Sequence, residues 1–224
     1  MDAGDIEVRF GLRVRTHRIR DLALRIAEVE RVDDMVSQVY PDAVTDHGDA
    51  PVWMITWPAA LALAEHVVDE GIDGARVLEL GCGTAAPGIA ARLAGARVTC
   101  TDHDPLALAL ARHNAQLNGC EDIAFGTLDW FHPSLEGRFD VVVGSEIVYF
   151  EKTFPALLAV LARYAAPGGR ILLADQGRPQ METFLRLCAR ACLQPRLSGR
   201  TVHLSEESRR IRIVSLHPHE RQMW

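Results

Sequence analysis

From Arg76 to Cys192 short apolar runs alternate with longer stretches in which apolar residues recur every three or four positions. The runs predict strands near 76–81, 96–102, 122–127, 139–145 and 169–175, and the periodic stretches predict helices near 87–94, 105–118, 153–165 and 178–192. A further helix is expected from Pro58, with Leu61, Leu63, Ala64, Val67 and Val68 on a broad apolar side and Gly71 and Gly74 beyond its end. Leu197 to Leu204 and Arg210 to Leu216 read as two last strands, joined by a polar connection at 205–208 expected to be exposed. Strands alternating with helices predict an α/β fold, a doubly wound parallel sheet with helices on both faces, here closed by an antiparallel hairpin.

Ahead of this pattern the signal weakens. Ile6, Val8 and Phe10 alternate, as do Leu22, Leu24 and Ile26, which suits half-buried strands; the second run also fits a short helix from Asp21. Tyr40-Pro41 and residues 47–51 break regular structure. Residues 1–50 are therefore expected to form an N-terminal extension, a small antiparallel ribbon packed on a main domain at 51–224.

Composition narrows the classes. A chain of 224 residues, 48% hydrophobic, can bury a full core. Its formal charge of −6 lacks the basic clustering of a nucleic-acid footprint. No apolar run reaches the ~20 residues of a membrane span, and the first five residues do not resemble a signal peptide. The expectation is a cytoplasmic protein, and without heptads a monomer. Five cysteines, with Cys188 and Cys192 four apart on a helix, form no C-x-x-C pair, and 217–219 reads as a polar tail, so no metal site is assigned.

The chemistry gathers around Val77–Gly88, V-L-E-L-G-C-G-T-A-A-P-G, a buried strand, a glycine turn and a helix start. Glycines there let a ligand approach the backbone. No lysine follows them, which excludes a P-loop. Ala86 stands where a dinucleotide fingerprint has its third glycine, and Gly88 comes two residues later. Ligands in such sheets bind beyond the carboxyl ends of the strands, and polar residues collect there. Glu79, embedded in the first strand, needs a partner; it either orients the loop or faces a cationic ligand group. Asp102, followed by His103, ends the second strand and can accept from a ribose diol, while Asp104 before Pro105 reads as an N-cap. Asp129-Trp130 offers an acceptor and a ring face for adenine, and Ser145-Glu146-Ile147-Val148-Tyr149 ends the fourth strand. Trp57, at a helix start upstream of the glycine turn, has a better claim on a ligand than Trp53. Acidic residues around the site favour a sulfonium cofactor over a pyrophosphate one.

E-L-G-C-G-T-A-A-P-G resembles motif I of the class I, seven-strand S-adenosylmethionine methyltransferases. Together with W-P-A-A-L-A-L-A (57–64), T-D (101–102), D-W (129–130) and S-E-I-V-Y (145–149), it resembles the family-16 protein methyltransferases over roughly residues 52 to 178. D-Q-G-R-P-Q (175–180) is similar to the D-P-G-R-P stretch of the lysine methyltransferases acting on the electron-transfer flavoprotein β subunit; Gln176 replaces the usual proline and Glu146 an aspartate. The resemblance implies a Rossmann-like doubly wound seven-strand sheet with an antiparallel last strand, S-adenosyl-L-methionine as cofactor, and N-methylation of a protein lysine. Methylation of a small-molecule amine or ring nitrogen, or cofactor binding without turnover, are the alternatives. It further implies Trp57, Glu79, Gly81, Cys82, Gly83, Asp102, His103, Asp129, Trp130 and Ser145 at the cofactor, with Glu146 and Tyr149 facing the acceptor. E-I-V-Y differs from the N/D-P-P-Y/F of many amino methylases of nucleic acid. Lys152, the only lysine, is where any automethylation on lysine must fall.

Overall fold

The computed structural model describes residues 1–41, 51–191, 193–203 and 208–218. Four small elements come first: helix α1 (Ala3–Phe10), a hairpin of β1 (Leu12–Ile19) and β2 (Leu22–Val29), and helix α2 (Val32–Val39). The ribbon expected at the N-terminus is this hairpin, but Ile6, Val8 and Phe10 belong to a helix. Asp2 and Asp5 form a reciprocal capping box that starts it. Ile6 and Phe10, four apart, share the buried face, while Val8 is 84% exposed. The alternation at 6, 8 and 10 was thus half of a helical period. At Leu22, Leu24 and Ile26 the strand reading holds, and α2 ends at Tyr40.

The main sheet follows helix α3 (Pro58–Asp69) and is built by β3 (Arg76–Leu80), α4 (Ala86–Leu93), β4 (Arg97–Asp102), α5 (Pro105–Leu117), β5 (Ala124–Thr127), β6 (Phe139–Ser145), α6 (Phe154–Tyr164), β7 (Ala165–Asp175), α7 (Pro179–Arg190), β8 (Leu193–His203) and β9 (Ser208–Pro218). Strand order is β5-β4-β3-β6-β7-β9-β8. Strands β3 to β7 pair in parallel, and β9 inserts antiparallel between β7 and β8. This is the Rossmann-like seven-strand sheet with a reversed last strand that the sequence implied. The expected exposure of the 205–208 connection, and the placement of Cys192 and His219, fall on positions outside the described residues, save Ser208, which opens β9 exposed.

Strand alternation sorts the core into two layers. Val77, Val98, Cys100, Val141 and Val143 face α3, α4 and α5, together with Leu24 and Ile26 of the hairpin. Leu78, Leu80, Val142, Ile171 and Leu173 face α6 and α7. The opposite side of α5, at Ala107 and Leu110, packs on Ile6, Phe10, Met35 and Trp53. Helix α5 therefore lies between the sheet and the N-terminal elements.

Hydrogen bonding repeats that arrangement. Asn114 on α5 and Asn118 at its C-cap, one turn apart, each exchange a donor and an acceptor with the outer backbone of β2. Asn114 takes the Ala27 N–H at 2.8 Å and donates to the Ala27 carbonyl at 3.2 Å. Asn118 does the same with Arg25 at 2.9 and 2.7 Å. Two side-chain amides stand in for a third strand on the ribbon's open edge, which would otherwise leave backbone groups unsatisfied.

Candidate functional site

The chain runs from β3 to β4 and β5 on one side, then returns to β6 on the other, so a crevice opens beyond the carboxyl ends of β3 and β6. A cavity of about 280 Å³ lies there. Its wall includes the glycine turn 81–84, Asp102 to Asp104, Trp130, Ser145 to Ile147, Tyr149, Phe150, Trp57 and, from earlier segments, Tyr40 and Trp53.

The glycine turn is shaped from several directions. Gly81 and Gly83 sit at φ +58° and +51°, where a side chain is strained. A Cβ at Gly81 would also come within 2.9 Å of Ile147 Cγ2. Backbone N–H groups of Cys82 and Gly83 donate to the Thr101 carbonyl (2.9 Å) and to Asp102 Oδ2 (3.0 Å). The turn is thereby tied to the end of β4.

Glu79 is not part of that wall. It is 1% exposed, accepts the Gly88 N–H at 2.9 Å, and has the Cys100 thiol at 3.4 Å. Of the two roles open to it, orienting the helix start fits and contact with the cofactor does not. Burial drives its carboxyl up to about 8, against the opposing pull of Cys100 and the Gly88 N–H. Gly88 explains the displaced third glycine: a Cβ there would meet Cys100 Sγ at 2.5 Å and Glu79 Oε2 at 2.6 Å. It supplies the close helix–strand contact of the fingerprint's last position.

Asp102 is buried at the cavity wall. It accepts from the Gly83 and Asp104 N–H groups and lies 3.3 Å from His103 Nδ1, leaving a lone-pair site for a hydroxyl from the cavity. The same hydrogen bond raises the exposed His103 imidazole above its ordinary value. Asp104 is the N-cap expected of it, accepting from Leu106 N at 2.8 Å. Its second oxygen takes the Tyr40 hydroxyl at 2.5 Å and the Trp53 indole N–H at 3.0 Å. This clamp was not visible in the sequence, because its members are 51 and 64 positions from Asp104.

Trp57 precedes Pro58 at the start of α3 and donates its indole N–H to the Val52 carbonyl at 2.8 Å. The hairpin sets that start: Glu28 accepts the Thr56 N–H at 3.0 Å, and Thr56 meets Thr84 at 3.2 Å. Trp130 lines the cavity, but Asp129 does not. Asp129 is exposed, and its carboxylate is engaged by the Phe131 N–H (2.8 Å) and His132 (2.9 Å). A turn-forming aspartate closes on its own backbone, so its expected reach to an adenine is not what this geometry displays.

Glu146 and Tyr149 both face the cavity. Glu146 is 7% exposed and sits in the left-handed region at φ +55°. Its Oε1 accepts the Gln176 N–H at 3.0 Å. Arg178 Nη2 stands 3.0 Å from Oε2, close enough for charge pairing but angled out of hydrogen-bond geometry. Burial raises the Glu146 carboxyl above its ordinary range, outweighing the guanidinium. Tyr149 packs against Phe150 at 4.4 Å between ring centroids.

Among the described residues, no lysine or arginine lines this cavity, whereas Asp102, Asp104 and Glu146 do. A phosphate-bearing ligand would find no lysine or arginine there. A carboxylate for a ribose, several aromatic faces and a bare glycine turn fit S-adenosylmethionine, whose reactive centre is itself a cation.

The comparisons with known proteins agree. The chain is 39% identical over 140 residues to EEF1A lysine methyltransferase 3 of Mus musculus, covering 58% of this chain and 59% of that protein. It is 34% identical over 134 residues to the electron transfer flavoprotein beta subunit lysine methyltransferase of Mus musculus, covering 58% and 52%. The chain thus spans a little over half the length of these curated relatives. Among solved structures, the putative RNA methyltransferase PH1948 from Pyrococcus horikoshii shares the fold, at 16% identity and a TM-score of 0.61, over 79% of this chain and 91% of that one. The family model described as lysine methyltransferase matches residues 43–190. With the glycine turn, the strand-end carboxylates and the seven-strand sheet in place, the chain belongs to this lysine methyltransferase family, whose methyl donor is S-adenosylmethionine.

Proposed function

We propose that the protein transfers a methyl group from S-adenosylmethionine to the side-chain amine of a lysine in a protein. When bound, the donor supplies a methyl carbon already activated by a sulfonium. What this chain adds is alignment and exclusion of water, worth up to ~7–11 kcal/mol in favourable intramolecular cases. In this reading Asp102, with His103 beside it, holds the ribose, and Trp130 gives the adenine a face. The backbone of Gly81, Cys82 and Gly83 carries the methionyl part under Trp57, with Ser145 near the reactive side. Glu146 orients the acceptor nitrogen and Tyr149 packs on its alkyl chain. The observation that carries this assignment is Glu146: a buried carboxylate on the cavity wall, held in a strained backbone conformation.

The acceptor amine must be neutral to react, although lysine has a reference pKa of ~10.4. Desolvation in the cavity and a neighbouring positive charge both disfavour the ammonium. For the substrate we propose the electron-transfer flavoprotein β subunit, supported by the 34% identity above and by D-Q-G-R-P at 175–179. We take the chain as an N-terminal cover at 1–50 and a methyltransferase domain at 51–224, acting as a cytoplasmic monomer. Incubating the purified flavoprotein with enzyme and donor, then mapping methylated lysines by mass spectrometry, tests the narrow assignment. Methyl-lysine on the β subunit supports it; a β subunit left unmodified by enzyme that methylates extract protein in a parallel reaction removes that substrate.

A further inference from the structure

Glu146 poses a chemical difficulty that the rest of the cavity does not resolve. A buried carboxylate suits the orientation of an amine, yet a lone carboxylate also stabilises the ammonium, which cannot accept a methyl group. The segment behind it answers this. Arg178 is the N-cap of α7, and its backbone is fixed at both ends: its N–H donates to Asp175 Oδ2 at 2.9 Å, and its carbonyl accepts from Arg212 Nη2 at 3.1 Å. Asp175 is itself buried and paired with Arg212 at 2.9 Å, and Arg212 also engages Glu182. Asp175 thus has Arg212 as its partner, shared with Glu182, and Glu146 is the carboxylate paired with Arg178, at 3.0 Å. Arg178 is not in the cavity wall, whereas Glu146 is. The guanidinium pairs with Oε2, which is buried and has no hydrogen-bond partner of its own, while Glu146 itself lines the cavity.

We propose that Arg178 is a positioning residue: it favours the carboxylate form of Glu146 at the cavity wall, and its charge offsets that of Glu146 so that the acceptor enters as a neutral amine. Glu146 then acts as a hydrogen-bond acceptor for the amine without offering a net negative charge to an ammonium. The groups acting on Glu146 are Arg178 and the Gln176 N–H from the turn before α7, and Asp175 from β7 with its Arg212 partner; Ser145 and Tyr149 on its own segment line the same cavity. Among the described residues, Arg178 is the cation paired directly with Glu146. This inference rests on the lysine reading above for its second half, and on geometry alone for its first.

The test uses the full chain with Arg178→Gln and Arg178→Lys. The Glu146 carboxyl is followed by carbon NMR in the enzyme alone, its resonance assigned by loss in Glu146→Gln. Methyl transfer to extract protein is measured from about pH 6 to about pH 10 at limiting acceptor, a span that brackets the amine's titration. With Gln the Glu146 midpoint rises by about one unit. Transfer near neutral pH falls about tenfold and recovers toward alkaline pH, the tenfold corresponding to that one unit. Lys restores most of both, and calorimetric binding of S-adenosylhomocysteine stays within about twofold, since Arg178 lies outside the cavity. A midpoint that does not move, or a rate lowered by one factor at every pH, overturns the proposal. If wild-type enzyme labels no protein, the lysine reading falls, and the titration still decides whether Arg178 governs Glu146.

Discussion

At the residue scale, Glu146 adopts φ +55°, a conformation that costs a residue with a Cβ about 1–2 kcal/mol. Glu146→Gly should therefore be more stable than Glu146→Ala by about 1 kcal/mol in chemical denaturation, although both lack the carboxylate. Equal stability would show that the backbone is not strained there. Glu79 makes a pH prediction. Its folded-state carboxyl is raised to about 8, so the folded state holds the proton more tightly than the unfolded state. The stability this adds is full below the ordinary carboxylate value and is lost as pH rises toward 8. Glu79→Gln, which imitates the neutral acid, should flatten the fall in melting temperature between pH 5 and pH 8 measured by calorimetry. An unchanged slope would remove Glu79 as its source. Asp102→Ala should weaken S-adenosylhomocysteine binding about 10- to 100-fold, the size of a lost hydrogen bond to a charged group, while Glu146→Ala leaves that binding nearly intact by calorimetry.

At the element scale, helix α4 meets the sheet through Gly88. A methyl there would stand 2.5 Å from Cys100 Sγ and 2.6 Å from Glu79 Oε2. Gly88→Ala should cost about 1–3 kcal/mol of stability, read as a lower urea midpoint with an unchanged slope. The alternation of β3 to β7 with α4 to α7 was legible in the sequence because strands buried on both faces read as short apolar runs and helices as three-to-four periodicity. The N-terminal elements were legible only in part. Alternate positions 6, 8 and 10 mimic a strand until burial separates Val8 from Ile6 and Phe10, and the capping box that decides for a helix is made by two acids, Asp2 and Asp5, not by the usual Ser/Thr and Glu. Of the site, the glycine turn, Asp102 and the 145–149 loop could be read, since each follows an apolar run. The clamp of Tyr40 and Trp53 on Asp104, and the pairing of Arg178 with Glu146, could not. Those contacts are made by folding, across long separations, and leave no local spacing.

At the scale of the whole molecule, the N-terminal elements complete both the core and the cavity. Leu24 and Ile26 extend the layer under α3 and α4, Tyr40 and Trp53 wall the cavity, and Glu28 holds the backbone just ahead of Trp57. Asn114 links these parts, bonding both polar groups of Ala27 and the Thr84 carbonyl of the glycine turn (3.1 Å). Asn114→Ala strands three buried backbone groups, at about 1–3 kcal/mol each before relaxation. It should lower stability by several kcal/mol and weaken S-adenosylhomocysteine binding as well; a loss of one without the other would separate the cover from the site. The activity turns on what lies opposite the donor. The most direct measurement is transfer of a labelled methyl group from S-adenosylmethionine into extract protein, followed by hydrolysis and amino-acid analysis. Wild-type enzyme should place the label in methyl-lysine, and Glu146→Ala should lose that label while still binding the donor. Label confined to small molecules, or a Glu146→Ala variant that methylates lysine at the wild-type rate, would contradict it.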